Sequence, residues 1–355
     1  MKSMFSPLLA SLRARPGAGT TPKTIDINAV IERSLRDAGL LSAAEQDQVV
    51  GDDDTVIDGD FRVVEARASQ ANVAGAERAS SSDEARFSAG RFALGGGART
   101  YKLFVPPGHA GQRLPLIVML HGCTQDPDDF ARGTRMNLLA EETGALVLYP
   151  AQSPRSNRSR CWNWFQPDDQ HRDGGEPALL AAMTRHIIAR HAVDPRRVHV
   201  AGLSAGGAMA AILGQEYPDL YASIGVHSGL PPGAAHDIPS AFAAMKRAPN
   251  KGLHAPETPV IVFHGDQDQT VDPQNGENIL GMAEKRTSAS GQSGRRYTRS
   301  LIMGADGEVR AEHWLVHGAG HAWSGGSSAG SYADDLGPDA SREMLRFFRE
   351  HPQQL

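Results

Sequence analysis

Two stretches of the chain match the pattern Gly-x-Ser-x-Gly, in which a serine hydroxyl can act as a nucleophile in acyl transfer. They are residues 202–206 and residues 326–330. The first match follows an apolar, strand-like segment at 198–201 and precedes a helix-like segment at 208–213. The second has serine and glycine on both sides and no strand before it. Ser204 is therefore the predicted nucleophile, because a tight strand-to-helix turn exposes the hydroxyl and places helix N–H groups beside it.

A serine needs a base, and the base needs an acid to orient it. Where the nucleophile lies in such a turn, the chain order is Ser, Asp, His, and the acid follows a later strand. The strand-like segment 260–263 is followed by Asp266, Asp268 and Asp272. Asp268 is the predicted acid, since it lies deep enough in the loop to turn back toward the sheet edge. Asp266 and Asp272 are expected to be turn or helix-cap residues.

Two histidines follow the last predicted strand, at 312–316, and compete for the role of base. His317 is at the strand end and is expected to pack there. His321 comes after Gly318 and Gly320, which allow a turn that carries its imidazole over Ser204. His321 is therefore the predicted base, because an imidazole near its usual pKa can accept the serine proton and return it to a leaving alcohol.

Backbone N–H groups that stabilise an oxyanion are expected from two places. One is the residue after the nucleophile, Ala205. The other is Cys123, in the loop that follows the apolar run 116–120, where Gly122 permits the bend. His121 in the same loop is expected to make a structural hydrogen bond and not to perform acid–base chemistry.

The elements that must position these residues alternate between strands and helices. Strands are predicted at 101–105, 116–120, 145–149, 197–201, 224–226, 259–263 and 312–316, and helices at 128–142, 177–191, 205–217 and 341–350, the first of them capped by Asp128 or Asp129. Alternation of this kind predicts an α/β fold, a mostly parallel sheet flanked by helices on both faces as in α/β-hydrolases. The catalytic domain is predicted at 89–355. Residues 1–88 are predicted to be a partly disordered lead-in with one amphipathic helix at 25–41.

Composition narrows the classes of partner. The 355 residues carry a formal charge of −5 and no basic block, which argues against a nucleic-acid partner. No apolar run is long enough to span a membrane. The two cysteines, Cys123 and Cys161, fit no zinc-site spacing, so neither a metal nor a cofactor is expected. They leave two alternatives, a pair of buried thiols or one disulfide. The oligomeric state is not predicted.

Five ordered motifs together resemble the polyhydroxybutyrate depolymerase family of esterases, which is related to feruloyl and acetyl xylan esterases. They are His-Gly-Cys-Thr-Gln at 121–125, Cys-Trp-Asn-Trp-Phe at 161–165, Gly-Leu-Ser-Ala-Gly at 202–206, the segment 264–268, and Gly-His-Ala-Trp at 320–323. The resemblance covers about residues 90–352. It implies a cofactor-independent serine hydrolase of short-chain polyesters, with Ser204, Asp268 and His321 as triad and Cys123 and Ala205 as oxyanion donors.

The resemblance also implies an extracellular or periplasmic location, although the N-terminus shows no clear signal peptide, which leaves a cytoplasmic location open. Cys161 is expected to pair with Cys123 if a disulfide forms. Trp162, Trp164 and Trp323 are expected to line the substrate site. Three other functions remain open: an esterase of plant cell-wall esters, a non-catalytic binding protein with the same fold, and a serine peptidase.

Overall fold

The computed structural model describes residues 85–94, 97–108, 111–248, 257–281, 286–304 and 306–353. The predicted helix at 25–41 and nearly all of the predicted lead-in 1–88 lie outside the described residues. The described chain begins with a strand, Arg86–Leu94, that starts shortly before the predicted domain boundary at residue 89.

Twelve strands lie in the described part of the chain. They are β1 (Arg86–Leu94), β2 (Gly97–Val105), β3 (Leu114–Leu120), β4 (Leu146–Pro150), β5 (Val193–Leu203), β6 (Ser223–His227), β7 (Val260–Gly265), β8 (Arg286–Ser293), β9 (Arg295–Met303), β10 (Val309–Val316), β11 (Trp323–Ser324) and β12 (Ala333–Asp334). The first ten form one sheet in the order β1-β2-β4-β3-β5-β6-β7-β10-β9-β8.

The central strands of this sheet, from β4 to β10, pair in parallel. The strands at both edges pair antiparallel, so the sheet as a whole is mixed. The prediction of a mostly parallel sheet is confirmed for its centre. Because parallel strands run in one direction, the loops after β3, β5, β7 and β10 meet at one edge, and these loops carry the predicted site residues.

Helices cover both faces of the sheet, as predicted. They are α1 (Pro127–Thr134), α2 (Met136–Thr143), α3 (Gly175–Arg190), α4 (Ala205–Glu216), α5 (Ile238–Lys246), α6 (Gln274–Ile279) and α7 (Ala340–Glu350). The side chains of β3 alternate between two cores, because successive residues of a strand point to opposite faces. Leu116, Val118 and Leu120 pack with α3 and α4, whereas Ile117 and Met119 pack with α1, α2 and α7.

The predicted single helix at 128–142 is wrong. Two helices, α1 and α2, meet at Arg135, whose backbone is left-handed with φ 54°. The predicted cap, Asp128 or Asp129, is also wrong, because the side chain of Asp126 caps α1 by accepting the Asp129 N–H. Asp128 and Asp129 lie in the first turn, where their charges favour the helix dipole.

Several elements were not predicted, and three of them, β1, β8 and β9, lie toward the edges of the main sheet. Strands β8 and β9 form an antiparallel hairpin around Gly294, whose φ is 69°. The sequence of β8, Arg-Thr-Ser-Ala-Ser-Gly-Gln-Ser, has no apolar alternation, since an edge strand need not bury a face. Helices α5 and α6 were also missed, and α5 contributes to the site described below.

Candidate active site

Ser204 occupies the turn between β5, which ends at Leu203, and α4, which begins at Ala205. Its backbone has φ 57° and ψ −119°, a region that L-residues rarely occupy, and its N–H donates to the carbonyl oxygen of His227 at 2.9 Å. Strain of this kind is retained only where the surrounding structure enforces it. The conformation is that of a nucleophile elbow, which holds a side chain out from the sheet edge.

The two glycines of the motif are required by close backbone contact. A Cβ atom on Gly202 would collide with the backbone of Gly206, and a Cβ atom on Gly206 would collide with the carbonyl oxygens of Leu120 and His121. The α4 N-terminus therefore lies directly against the end of β3. This packing brings the amide of Ala205 and the loop after β3 to the same place.

Gly206→Ala is expected to destabilise the fold, because the added methyl group meets rigid backbone oxygens and not a mobile side chain. The free energy of unfolding should fall by about 3 kcal/mol or more. Denaturant unfolding of the variant beside the wild type measures this change. The matched control is Gly320→Ala, because a Cβ at Gly320 has nothing within 4 Å. An equal loss in both variants would contradict the assigned contact.

Asp268 lies in the loop after β7, and both of its carboxylate oxygens accept hydrogen bonds. Its Oδ1 accepts the backbone N–H groups of Thr270 and Val271, each at 2.9 Å, and its Oδ2 accepts from His321 Nδ1 at 2.7 Å. His264 Nε2 lies 3.4 Å from the same Oδ2 while hydrogen-bonding the carbonyl of Val271 at 3.0 Å. His264 was not predicted to contribute.

The surroundings of Asp268 favour its charged form. Burial alone would raise the pKa of the carboxyl, but the facing imidazole of His321 and the hydrogen bonds from His264 and His321 hold the pKa well below its usual range. The carboxylate accepts at Nδ1 of His321, so Nε2 is the imidazole nitrogen available to take a proton from a hydroxyl.

One cavity is lined by Ser204, His321, Cys123 and Ala205 together. The structure thus brings the predicted nucleophile, the predicted base and both predicted oxyanion residues to a single site, with Asp268 behind His321. The remaining wall is largely apolar and includes Phe165, Leu230, Ile238, Phe242, Met245 and Val271. Helix α5 supplies Ile238, Phe242 and Met245 at helical spacing, so this unpredicted helix forms one side of the cavity.

Of the three tryptophans predicted to contact substrate, Trp164 lines the cavity. Trp162 and Trp323 do not, and for these two the prediction is wrong. Trp162 is fully buried and donates its Nε1–H to the carbonyl of His121 at 3.1 Å. Trp323 is buried in the core and donates to Ser341 Oγ at 3.0 Å. Both indoles are held by internal hydrogen bonds, because a buried indole N–H needs an acceptor.

The loop that carries Cys123 is fixed on both sides of this residue. The N–H of Gly122 donates to Gln125 Oε1 at 3.0 Å, and the N–H of Thr124 donates to the carbonyl of Ser159 at 2.6 Å. A disulfide joins Cys123 to Cys161, and both cysteines line the cavity. The loop that carries Cys123 and the 161–165 segment are therefore one cross-linked unit.

His121 makes structural hydrogen bonds in this loop. Its Nδ1 donates to the carbonyl of Gly122 at 2.8 Å, and its Nε2 accepts the N–H of Gln152 at 3.1 Å. Burial lowers its pKa to about 4, so the imidazole is neutral at physiological pH. Both ring nitrogens are occupied, which leaves neither for proton transfer.

If Cys123 is an oxyanion donor as predicted, opening the disulfide should lower kcat more than it changes KM, because such a donor acts chiefly on the transition state. Reduced protein, or the variant with Cys123→Ser and Cys161→Ser together, should lose up to about 10²-fold in kcat. Ester hydrolysis before and after reduction measures the change, and alkylation with intact mass reports the thiols freed. Full kcat in protein with both thiols alkylated would contradict this prediction.

The buried carboxylate of Glu176 hydrogen-bonds the 161–165 segment, a role that was not predicted from the sequence. Glu176, at the start of α3, accepts the backbone N–H of Asn163 at 2.7 Å and also a hydrogen bond from the side chain of Gln152. Arg99 lies 3.5 Å away. Burial raises the pKa of Glu176 from 4.5 to about 7, with the charge of Asp169 adding to the rise.

This raised pKa predicts a pH dependence of stability. Between 4.5 and about 7 the folded state keeps a proton that the unfolded state has released, so the stability from this group is lost as pH rises through that window. The loss is at most about 1.4 kcal/mol per pH unit. Glu176→Gln mimics the protonated acid, so the difference in unfolding free energy between wild type and variant should change across the window. A difference that is flat with pH would contradict the assignment.

Asp266 and His317, the alternatives to Asp268 and His321 in the sequence, pair with one another. His317 Nδ1 lies 3.0 Å from Asp266 Oδ2, and both side chains are about a third exposed, at 32% and 30%. The N–H of Gly318 donates to Asp266 at 2.7 Å. This second Asp–His pair is absent from the residues that line the cavity with Ser204. It orders the turn before His321, as the turn role predicted for Asp266 requires.

The second Gly-x-Ser-x-Gly match does not form an elbow. Ser328 is exposed in a turn, and Gly330 packs against the backbone of Gly133 at the end of α1. Within the described residues no group of three or more His, Cys, Asp or Glu side chains is arranged to hold a metal ion. No helix found there is long and apolar enough to cross a membrane.

Comparison with known proteins places this geometry in a family. Residues 99–282 match the family model described as Esterase PHB depolymerase. The chain is 29% identical to poly(3-hydroxyalkanoate) depolymerase C of Paucimonas lemoignei, over 66% of this chain and 63% of that protein. It is 30% identical to poly(3-hydroxybutyrate) depolymerase of Ralstonia pickettii, over 60% and 48%. The chain thus spans less than two thirds of either depolymerase.

Other relatives act on different esters by name. Feruloyl esterase B of Thermothelomyces thermophilus is 27% identical over 58% of this chain and 78% of that protein. Among solved structures, an acetyl xylan esterase from Aspergillus awamori has a TM-score of 0.54 and 21% identity, covering 70% of this chain and 93% of that one, which shows the α/β-hydrolase fold. With its family model matching more than half of the residues, this chain belongs to the polyhydroxybutyrate depolymerase family of esterases.

Proposed function

We propose that this protein hydrolyses carboxylic esters through an acyl-enzyme formed on Ser204. The observation that carries the proposal is one cavity lined by an elbow serine and by His321, with the buried carboxylate of Asp268 at 2.7 Å from His321 Nδ1. The three side chains supply nucleophile, base and orienting acid, so the proposed steps require no metal ion.

The proposed steps give each of these residues one role. Ser204 Oγ attacks the ester carbonyl carbon while His321 Nε2 takes its proton. The N–H groups of Cys123 and Ala205 stabilise the oxyanion that forms. The C–O bond to the alcohol then breaks, and His321 returns the proton to the leaving alcohol. Water repeats the sequence on the acyl-enzyme, with His321 as base, and releases the acid.

The apolar wall suits a substrate with an apolar acyl group, and the substrate we propose is a short-chain poly(3-hydroxyalkanoate) or its oligomers. Among the lining residues that the structure describes, none is Lys, Arg, Asp or Glu, so the wall offers no charged partner to an acidic or polycationic substrate. The two depolymerases to which the chain is similar carry that substrate class in their names.

A panel of three substrates tests this choice. Purified protein is given 3-hydroxybutyrate oligomers, methyl ferulate and p-nitrophenyl butyrate, and kcat/KM is measured for each. We expect the oligomers to exceed methyl ferulate. The reverse order would place the protein with the feruloyl esterases it is similar to. Binding of oligomers without hydrolysis of any ester would identify a non-catalytic binding protein and refute the proposal.

We also propose that the protein works in an oxidising compartment, extracellular or periplasmic. The support is the disulfide between Cys123 and Cys161, a bond that persists in such compartments and is rare in the cytosol. The test alkylates free thiols in whole cells and in the external medium, and then measures the mass of this protein to see whether Cys123 and Cys161 were free. Alkylated cysteines in native protein taken directly from the cytosol would refute it.

A further inference from the structure

Thr270 is a polar residue in the largely apolar wall of the cavity that Ser204 and His321 line. Its backbone N–H donates to Asp268 Oδ1 at 2.9 Å, so its main chain is tied to the carboxylate behind His321. The next residue, Val271, lines the same cavity and makes the same kind of bond to Asp268. Thr270 therefore has a fixed backbone beside the reacting groups.

The hydroxyl of Thr270 is buried and has no hydrogen-bond partner in the described part of the chain. Other buried threonines satisfy theirs. Thr184 Oγ1 donates to the carbonyl of Leu180 at 2.8 Å, and Thr258 Oγ1 donates to the carbonyl of Gly214 at 2.7 Å. Burial of an unsatisfied hydroxyl lowers stability, so such a group in a folded protein needs an explanation.

A ligand bound in the cavity could be the missing hydrogen-bond partner of this hydroxyl. The Thr270 oxygen is itself buried, so it must turn about χ1 to meet a ligand in the cavity. Because it makes no hydrogen bond within the protein, it loses none in doing so. An acyl group that carries an oxygen substituent would bring such an atom into the cavity, whereas a plain alkyl chain would leave the hydroxyl unsatisfied. A site built to bond a substrate oxygen discriminates against the analogue that lacks it.

We propose that Thr270 is a specificity-determining residue whose hydroxyl hydrogen-bonds an oxygen on the acyl chain, so that the site selects oxygen-bearing acyl groups such as 3-hydroxyacyl over plain acyl groups. The inference rests on the proposed ester hydrolysis at Ser204 and deepens it. The oxygen is either the free hydroxyl of a terminal unit or the ester oxygen that links it to the next unit, because both can accept from a threonine hydroxyl.

The test uses Thr270→Val, which keeps the shape and the backbone N–H but removes the hydroxyl, and Thr270→Ser, which keeps the hydroxyl. The kcat/KM of each full-length protein is measured for p-nitrophenyl 3-hydroxybutyrate and p-nitrophenyl butyrate. The ratio of the two values should fall about tenfold in Thr270→Val and be retained in Thr270→Ser. A dimer of 3-hydroxybutyrate as the acyl donor shows whether the linking ester oxygen serves equally.

Stability gives a second, independent readout. Because the hydroxyl makes no bond within the protein, the denaturant midpoint of Thr270→Val should equal or exceed that of wild type. A clear drop would reveal an internal hydrogen bond and overturn the inference, as would an unchanged substrate ratio. If wild type hydrolyses neither ester, the proposed function itself fails. If it hydrolyses both and the ratio ignores Thr270→Val, this inference alone fails.

Discussion

Replacing Ser204 with alanine is expected to lower kcat for p-nitrophenyl butyrate on the order of 10⁶-fold. In the proposed reaction the hydroxyl oxygen forms the bond to the acyl group, and no other hydroxyl lies in the elbow between β5 and α4. Folding should survive, because the strained backbone at φ 57° is set by the packing of Gly202 and Gly206 and not by the serine side chain. Steady-state hydrolysis and a denaturant midpoint measure the two effects.

The chain offers a matched control in its second Gly-x-Ser-x-Gly sequence. Ser328→Ala makes the same chemical change in the same local pattern, but in an exposed turn away from the cavity. Its kcat should equal that of wild type. A fluorophosphonate label should add mass to wild type and to Ser328→Ala, and none to Ser204→Ala. Retention of activity in Ser204→Ala would refute the assignment of the nucleophile.

Local sequence signals predicted the elbow because the causes are local. A strand, a serine between two glycines and a helix must be adjacent in the chain, and the close contact of Gly202 with the backbone of Gly206 explains the glycines. The central strands were predictable for the same reason. Strands β3, β4 and β7 are buried on both faces, so they appear in the sequence as continuous apolar runs.

The residues that line the cavity could not be predicted from residue type, because their positions depend on tertiary contacts. Trp162 and Trp164 are two residues apart, yet the first donates to His121 inside the core and the second faces the cavity. Helix α5 was not predicted. Its residues Ile238, Phe242 and Met245 form one face toward the cavity, but three apolar residues at helical spacing would look the same if they faced the core. Its position depends on the whole sheet.

Buried polar partners were equally invisible in the sequence. His264 lies in the 264–268 motif and Glu176 has ordinary neighbours along the chain, but the contacts of both side chains come from what folding brings against them. His264 lies 3.4 Å from Asp268, and Glu176 accepts a hydrogen bond from Asn163 at 2.7 Å. Long-range pairs of this kind require the tertiary fold, whereas the helix break at Arg135 required a backbone conformation that propensity does not favour.

The second large effect is expected for Asp268→Asn, which should lower kcat about 10⁴-fold. The asparagine amide can donate to His321 Nδ1, which favours the tautomer that carries its proton on Nε2. That nitrogen then cannot accept the proton of Ser204. The amide also lacks the negative charge that stabilises the imidazolium formed during attack. Steady-state kinetics with p-nitrophenyl butyrate measure the loss.

Asp266→Asn is the matched control, because the same change is made in a neighbouring Asp–His pair of similar length. Its partner His317 is about a third exposed and also contacts Thr298, so the altered pair is a solvated one. An asparagine keeps an oxygen that can accept the Gly318 N–H, so the turn before His321 is retained. We expect kcat to stay near the wild-type value. The contrast separates position from residue type, since both variants remove one carboxylate from one histidine. Equal losses would mean that the turn carrying both histidines, and not the Asp268–His321 pair, sets the activity.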